Sequence, residues 1–198
     1  MAVSIEDIRK LKELTGVGLT DAKVALVDAD GDFDKALEAM RKKGLTKAEK
    51  KADREAREGI IDSYVHGGRI GVLVEVNCET DFVARTDGFK EFAHQIALQV
   101  ASMAPVYVSE ADIPADEMER VKSEALASDA LKGKPADIAE KIVEGQVKKH
   151  FAEKVLLSQS YIMDDSQTVE AFLKETIAKL GENIVIRRFE RIELGVND

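Results

Sequence analysis

Between Ile70 and Cys78 apolar residues fall at every second position, as Ile70, Val72, Val74 and Val76, and from Phe89 onward they fall at helical spacing. A change of period from two to 3.6 obliges a strand to give way to a helix inside one short connection. That connection is polar: Asn77-Cys78-Glu79-Thr80-Asp81-Phe82-Val83-Ala84-Arg85-Thr86-Asp87-Gly88-Phe89. It carries one large apolar ring, Phe82, beside a carboxylate, Asp81. A ring at such a place loses its burial unless its own core or a partner covers it. From the residues alone both outcomes stay open, and Asp81 alone could serve as a turn cap.

The flanks extend the pattern. Ile60–Val65 and Ile70–Cys78 are β-type runs, and His66-Gly67-Gly68-Arg69 between them is a hairpin signal. The helix after the polar connection is expected to be capped by Asp87 and striped by Phe89, Phe92, Ala93, Ile96, Ala97, Val100 and Ala101. Pro105–Val108 reads as a short strand, residues 114–130, 135–160 and 168–181 as helices, and Asn183–Leu194 as a closing strand. Ahead of the sheet, residues 1–45 predict three short helices. Ser4 and Asp7 form a capping box before the first, Thr20 is expected to cap the second, and Asp32 caps the third, which Gly44 is expected to end. The glycines Gly16 and Gly18 separate the first two helices. Residues 46–58 have helical propensity with almost no apolar stripe, as a linking helix has. The fold class is therefore α+β. A three-helix module (1–45) and a linking helix (46–58) precede a core (59–198) in which a mainly antiparallel sheet packs with helices.

Composition narrows the function. A formal charge of −9 over 198 residues argues against a protein that grips phosphate backbones. The one lysine cluster, Arg41-Lys42-Lys43 with Lys47, Lys50 and Lys51, is interleaved with Glu49, Glu55 and Glu58 and reads as a solvated helix face. The single cysteine rules out an internal disulfide and a cysteine-based zinc site. No apolar run approaches membrane-span length, and residues 1–20 lack a secretory core. A cytoplasmic protein with neither nucleic acid nor membrane as partner is expected.

No residue set reads as an active site. Cys78 shares a strand face with Val72, Val74 and Val76, so it reads as a small buried hydrophobe rather than a nucleophile. His66, His94 and His150 have no triad or metal-cage spacing. Gly67-Gly68 lacks the lysine and following helix of a phosphate loop, and pairs such as Asp164-Asp165 are expected by chance in a chain with 38 acidic residues. No catalytic residue, cofactor or metal is expected.

Three separate segments resemble the elongation factor Ts family. Thr15-Gly16-Val17-Gly18-Leu19-Thr20-Asp21-Ala22-Lys23-Val24-Ala25-Leu26 is similar to its TGxGMMDCKxAL stretch, with Thr20 in place of the second methionine and Ala22 in place of the cysteine. Val76–Ala84 resembles VNxETDFVA, and Gly181-Glu182-Asn183-Ile184 with Arg187-Arg188-Phe189 resembles GENIxxRRF. The resemblance implies a ubiquitin-associated-like fold for the three-helix module. It also implies guanine-nucleotide exchange on elongation factor Tu, with no chemical active site of its own. Thr80, Asp81, Phe82 and Val83 would press into the GTPase domain and dislodge its Mg²⁺, with Phe82 as the wedge. Val17, Gly18, Leu19, Thr20 and Lys23 would dock the module on the same domain, contact with the β-domains being left open. Short members of the family pair through the core as homodimers. Two rival readings are a protein-binding adaptor with a dimerising core and a thiol enzyme using Cys78.

Overall fold

The protein is described here from a computed structural model, over residues 3–15, 17–128 and 135–196. Helices α1 (Ile5–Thr15), α2 (Leu19–Asp28) and α3 (Phe33–Glu49) enclose a small core of Leu11, Ala22, Ala25, Leu26, Ala36 and Met40. The Ser4 hydroxyl accepts from the backbone of Glu6 at 3.1 Å and of Asp7 at 3.5 Å, the Ser4 half of the predicted capping box, and Asp32 accepts from the Lys35 N–H at 3.1 Å as the predicted cap of α3. The cap of α2 differs. Gly18 holds that place, and Thr20 lies inside the first turn. Gly16 falls outside the described residues.

The linking helix expected over 46–58 is helical only as the end of α3. Gly44 does not stop that helix, because α8 (Val169–Leu180) lies against it: a Cβ on Gly44 would come 3.4 Å from that of Ala178. Arg41 adds an ion pair to Glu175 on α8 at 2.9 Å. The chain turns after Glu49 because the side-chain amide of Asn183, 3% exposed, takes the carbonyls of Ala52 (3.3 Å) and Arg54 (2.7 Å).

Strands β1 (Glu58–His66), β2 (Ile70–Cys78) and β5 (Ile184–Glu193) form an antiparallel sheet in the order β1-β2-β5. The hairpin turn places Gly67 and Gly68 at φ 55° and 67°, angles that a side chain would resist. Arg187 is the extra residue of a bulge that shifts the β2–β5 register between Glu75 and Val76. One face of the sheet carries Val72, Val74, Val76, Cys78, Ile184 and Ile186, all buried against α5 (Asp87–Met103) and α8. The α5 stripe is buried at each predicted position, but its cap is Thr86, whose hydroxyl accepts from the Phe89 N–H; Asp87 is the first helical residue. The opposite face is open, with Ile61, Val65, Leu73 and Ile192 all more than half exposed.

A second cluster of the core region unites α6 (Ala115–Leu126) and α7 (Ala136–Phe151) around Val121, Val143, Val147, Phe151 and Val155. Residues 129 and 130 of the predicted helix over 114–130 lie outside the described residues. Tyr107 forms an isolated parallel bridge with Val155, in place of the short strand expected at 105–108. Its hydroxyl donates to Glu117 of α6, which holds the Glu117 carboxyl below its usual range. The predicted helix over 135–160 ends at Phe151; residues 154–157 then pair with Val106 to Val108, and the fully buried Gln99 organises the stretch beyond, residues 159–162. Its amide donates to Ser160 and Gln159 and accepts from the Ile162 N–H, and a short hairpin forms from β3 (Ser160–Tyr161) and β4 (Asp164–Thr168). Helix α8 then starts at the Thr168 cap and ends at Gly181, φ 86°. Among the described residues no helix is long and apolar enough to cross a membrane.

Candidate functional site

Strand β2 runs out at Cys78, and the chain turns a sharp corner into a single helical turn, α4 (Asp81–Ala84), before α5 begins. Thr80 caps that turn, its hydroxyl accepting from the Val83 N–H at 3.4 Å. Thr86 closes the far end, donating to the Val83 carbonyl at 2.8 Å. Ala84 is buried in the main core and Val83 packs against it. Successive helical residues are rotated by about 100°, so with Val83 and Ala84 turned inward Phe82 has to point away. Phe82 is 79% exposed. The alternative left open by the sequence, a ring folded back on the sheet, is not the one adopted. Asp81 beside it is paired with Arg85 at 2.8 Å, an exposed contact worth at most about 1 kcal/mol.

The corner is braced from the other end of the chain. Glu182, in the turn between α8 and β5, accepts from the N–H groups of Glu79 (3.1 Å) and Thr80 (3.0 Å), and its other oxygen accepts from the Thr80 hydroxyl at 2.6 Å. In return Glu79 accepts from the Asn183 N–H at 2.6 Å and meets Arg54 at 3.5 Å. Each carboxylate satisfies backbone donors of the opposite corner. Glu79, Glu182 and Asn183 were given no role by the sequence reading. All three lie in the segments that resemble the family, but no local pattern shows that they meet, since their partners lie about a hundred residues away.

The five residues predicted in the module sit together at the start of α2. Gly18 is its cap, Leu19 is 52% exposed, Thr20 and Lys23 are exposed, and Val17 packs partly into the module core. Val24 and Val27, both more than half exposed, extend the same helix with apolar surface that the sequence reading passed over. The Phe82 corner belongs to the sheet and the main core, so the two predicted sets stand on different elements with separate cores.

Other reactive groups are unsuited to chemistry. Cys78 is fully buried, and burial, with the negative charge of Glu182 adding, pushes its thiol up to about 11. It donates to the Thr80 carbonyl at 3.2 Å. His94 meets Asp62 at 2.9 Å and His66 meets the Tyr64 hydroxyl at 2.9 Å, pairs without a nucleophile between them. Among the described residues no three His, Cys, Asp or Glu side chains gather as a metal site.

Comparison with known proteins agrees with this architecture. Elongation factor Ts of Thermotoga maritima (strain ATCC 43589 / DSM 3109 / JCM 10099 / NBRC 100826 / MSB8) is 53% identical over 196 residues, 98% of this chain and 98% of the relative. That of Thermoanaerobacter sp. (strain X514) is 52% identical over 195 residues, 98% and 95% of the two chains. That of Acaryochloris marina (strain MBIC 11017) is 53% identical over 196 residues, 98% of this chain and 82% of the relative. The α+β fold with its helical amino-terminal module is thus that of a translation elongation factor, a protein of polypeptide synthesis. The family model described as Elongation factor TS matches residues 38–176. The chain belongs to the elongation factor Ts family.

A thiol raised to about 11 is ionised in about one molecule in a thousand at pH 8. Iodoacetamide at that pH is therefore expected to leave Cys78 unmodified in the folded protein and to alkylate it after unfolding in guanidinium, as read by mass spectrometry. The folded thiol holds its proton more tightly than the unfolded one, so its contribution to stability is present below about pH 9 and is lost as pH rises toward 11. Rapid alkylation of the native protein would restore the thiol-enzyme reading.

Proposed function

We propose that the protein is a guanine-nucleotide exchange factor for elongation factor Tu. The module, which we read as ubiquitin-associated-like, docks on the GTPase domain through Val17, Gly18, Leu19, Thr20 and Lys23. The corner, Thr80 to Val83, then presses Phe82 into the same domain near a helix bordering the nucleotide, disturbing the Mg²⁺ and phosphate contacts so that GDP leaves. The observation that carries this reading is the exposure of Phe82 on a braced corner. Asp81, paired with Arg85 in the free chain, is placed to exchange that partner for a polar group on the opposing helix.

The energetics favour two contacts. Accelerating release by about 10⁴ takes about 5.5 kcal/mol of difference between bound states. Covering one Phe supplies about 1.5–3 kcal/mol. The wedge alone falls short, and the exposed apolar face of α2 offers the second hold. Reciprocal linkage then makes bound nucleotide weaken the factor's own grip by the same ratio, which lets it turn over. The factor acts in the cytoplasm, holds no nucleotide or metal of its own, and performs no chemical step.

A second copy is proposed to cover the open face of the sheet, where Ile61, Val65, Leu73 and Ile192 would otherwise remain in water. Light scattering is expected to give a dimer at micromolar concentration, and Leu73→Glu a monomer. A monomeric wild type would remove the pairing.

In stopped-flow release of fluorescent GDP from elongation factor Tu, Phe82→Ala is expected to lose about 30-fold or more of the stimulation, a hot-spot loss of about 2 kcal/mol. Its folding stability should stay within about 0.5 kcal/mol of wild type. Undiminished release by that variant would contradict the wedge.

A further inference from the structure

The corner poses a problem that its own residues do not solve. A strand that ends in a turn leaves backbone N–H groups without ladder partners, here those of Glu79 and Thr80, and a one-turn helix has too few internal bonds to hold its own shape. An aromatic ring presented to a partner loses affinity in proportion to how freely its support moves, since that freedom has to be given up on binding. The support comes from Glu182.

We propose that Glu182 is a positioning residue of the exchange corner, acting through Thr80 to hold the first turn of α4 and so the direction of the Phe82 ring. The inference rests on the exchange reading above. Glu182 owes its place to Gly181, whose left-handed backbone ends α8 and turns the chain back toward β2. One of its oxygens receives both backbone N–H groups, of Glu79 at 3.1 Å and Thr80 at 3.0 Å. The other receives the Thr80 hydroxyl proton at 2.6 Å. That last bond fixes the polarity of the hydroxyl. With its proton committed to Glu182, the Thr80 oxygen has a lone pair free for the Val83 N–H, the bond that caps α4. The path therefore runs from Glu182 to Thr80 to Val83, the residue after Phe82. The return bond from Asn183 N–H to Glu79 closes the strap.

A carboxylate is the only common side chain that fits. All three groups facing Glu182 are donors, so the site wants two acceptor oxygens. Glutamine offers one oxygen and one NH₂. Turned one way, its NH₂ faces two backbone N–H groups. Turned the other way, its NH₂ meets the Thr80 hydroxyl, which then loads both lone pairs with N–H groups and leaves its own proton without the charged acceptor that held it. Glu182→Gln keeps the volume and still breaks the path, so it separates positioning from packing.

The test is a double-mutant cycle on stimulated GDP release, with wild type, Glu182→Gln, Phe82→Ala and the double variant of the full chain. Glu182→Gln is expected to lower the release rate at saturating factor by about tenfold (about 1.4 kcal/mol). The half-saturating concentration should stay within about twofold, because α2 docks unaltered. In the Phe82→Ala background the same substitution should cost nothing further, since the ring it would orient is gone. A full rate with Glu182→Gln overturns the inference, and so does an equal loss in both backgrounds, the mark of general structural damage. If Phe82→Ala exchanges like wild type, the exchange reading falls and takes the inference with it, whereas a crippled Phe82→Ala beside a normal Glu182→Gln removes the inference alone. Should thermal melting place Glu182→Gln unfolded at the assay temperature, Thr80 supplies the same test. The isosteric Thr80→Val, which removes the hydroxyl that joins Glu182 to Val83, is expected to lower the rate in the wild-type background and not in Phe82→Ala; an undiminished rate, or an equal loss in both backgrounds, overturns the inference.

Discussion

The exchange of hydrogen bonds between Glu79-Thr80 and Glu182-Asn183 is the interaction on which the presentation of the corner depends. Two turns from distant parts of the chain each supply a carboxylate to the other's backbone N–H groups. Bonds to a charged acceptor are about twice as strong as neutral ones. They also join the end of β2 to the start of β5, which pair directly as Cys78 with Ile184. The corner therefore inherits the rigidity of the sheet and main core, with Cys78, Ala84, Phe89 and Ile184 packed beneath it. On such a base a large ring can stand in water without a loop that collapses around it.

The same division organises the rest of the molecule. The module has its own core, and its α3 is locked to α8 by the close approach at Gly44 and by Arg41 with Glu175. Burial pushes the Glu175 carboxyl above its usual range and the Arg41 charge opposes it. The proposed docking residues of α2 are thereby held in a set relation to the corner. That relation is what a two-contact mechanism needs, because effective concentration between linked contacts depends on geometry that permits both at once.

How far the sequence was legible depends on the range over which each force acts. The β1–β2 hairpin, the buried face of β2 with Cys78 on it and the apolar stripe of α5 could be read, because period and glycine placement are local. Helix ends were less so. Gly44 reads as a stop until Ala178 is seen against it, and past the end of α7 at Phe151 the backbone pairs with Val106 to Val108, a segment far away in the chain. Thr86 took the capping role expected of Asp87, a shift of one residue that the spacing of polar groups did not resolve. At the candidate site the residues alone mark Phe82 and Asp81 by their oddity in a polar connection and leave the direction of Phe82 open; Thr80, Val83 and the outward wedge are what the family resemblance implies. That direction follows from Val83 and Ala84 turning inward, and the contact of Glu182 with Thr80, proposed to hold it, spans about a hundred residues that no local pattern links.

Fluorine NMR on protein labelled with 4-fluorophenylalanine, in which Phe82→Leu identifies one resonance among the seven phenylalanines, measures the ring itself. The account predicts a signal at a water-exposed shift in the free protein that moves and broadens when elongation factor Tu carrying GDP is added. A resonance that stays in place while the complex forms would show that the partner never covers the ring, and would contradict the account.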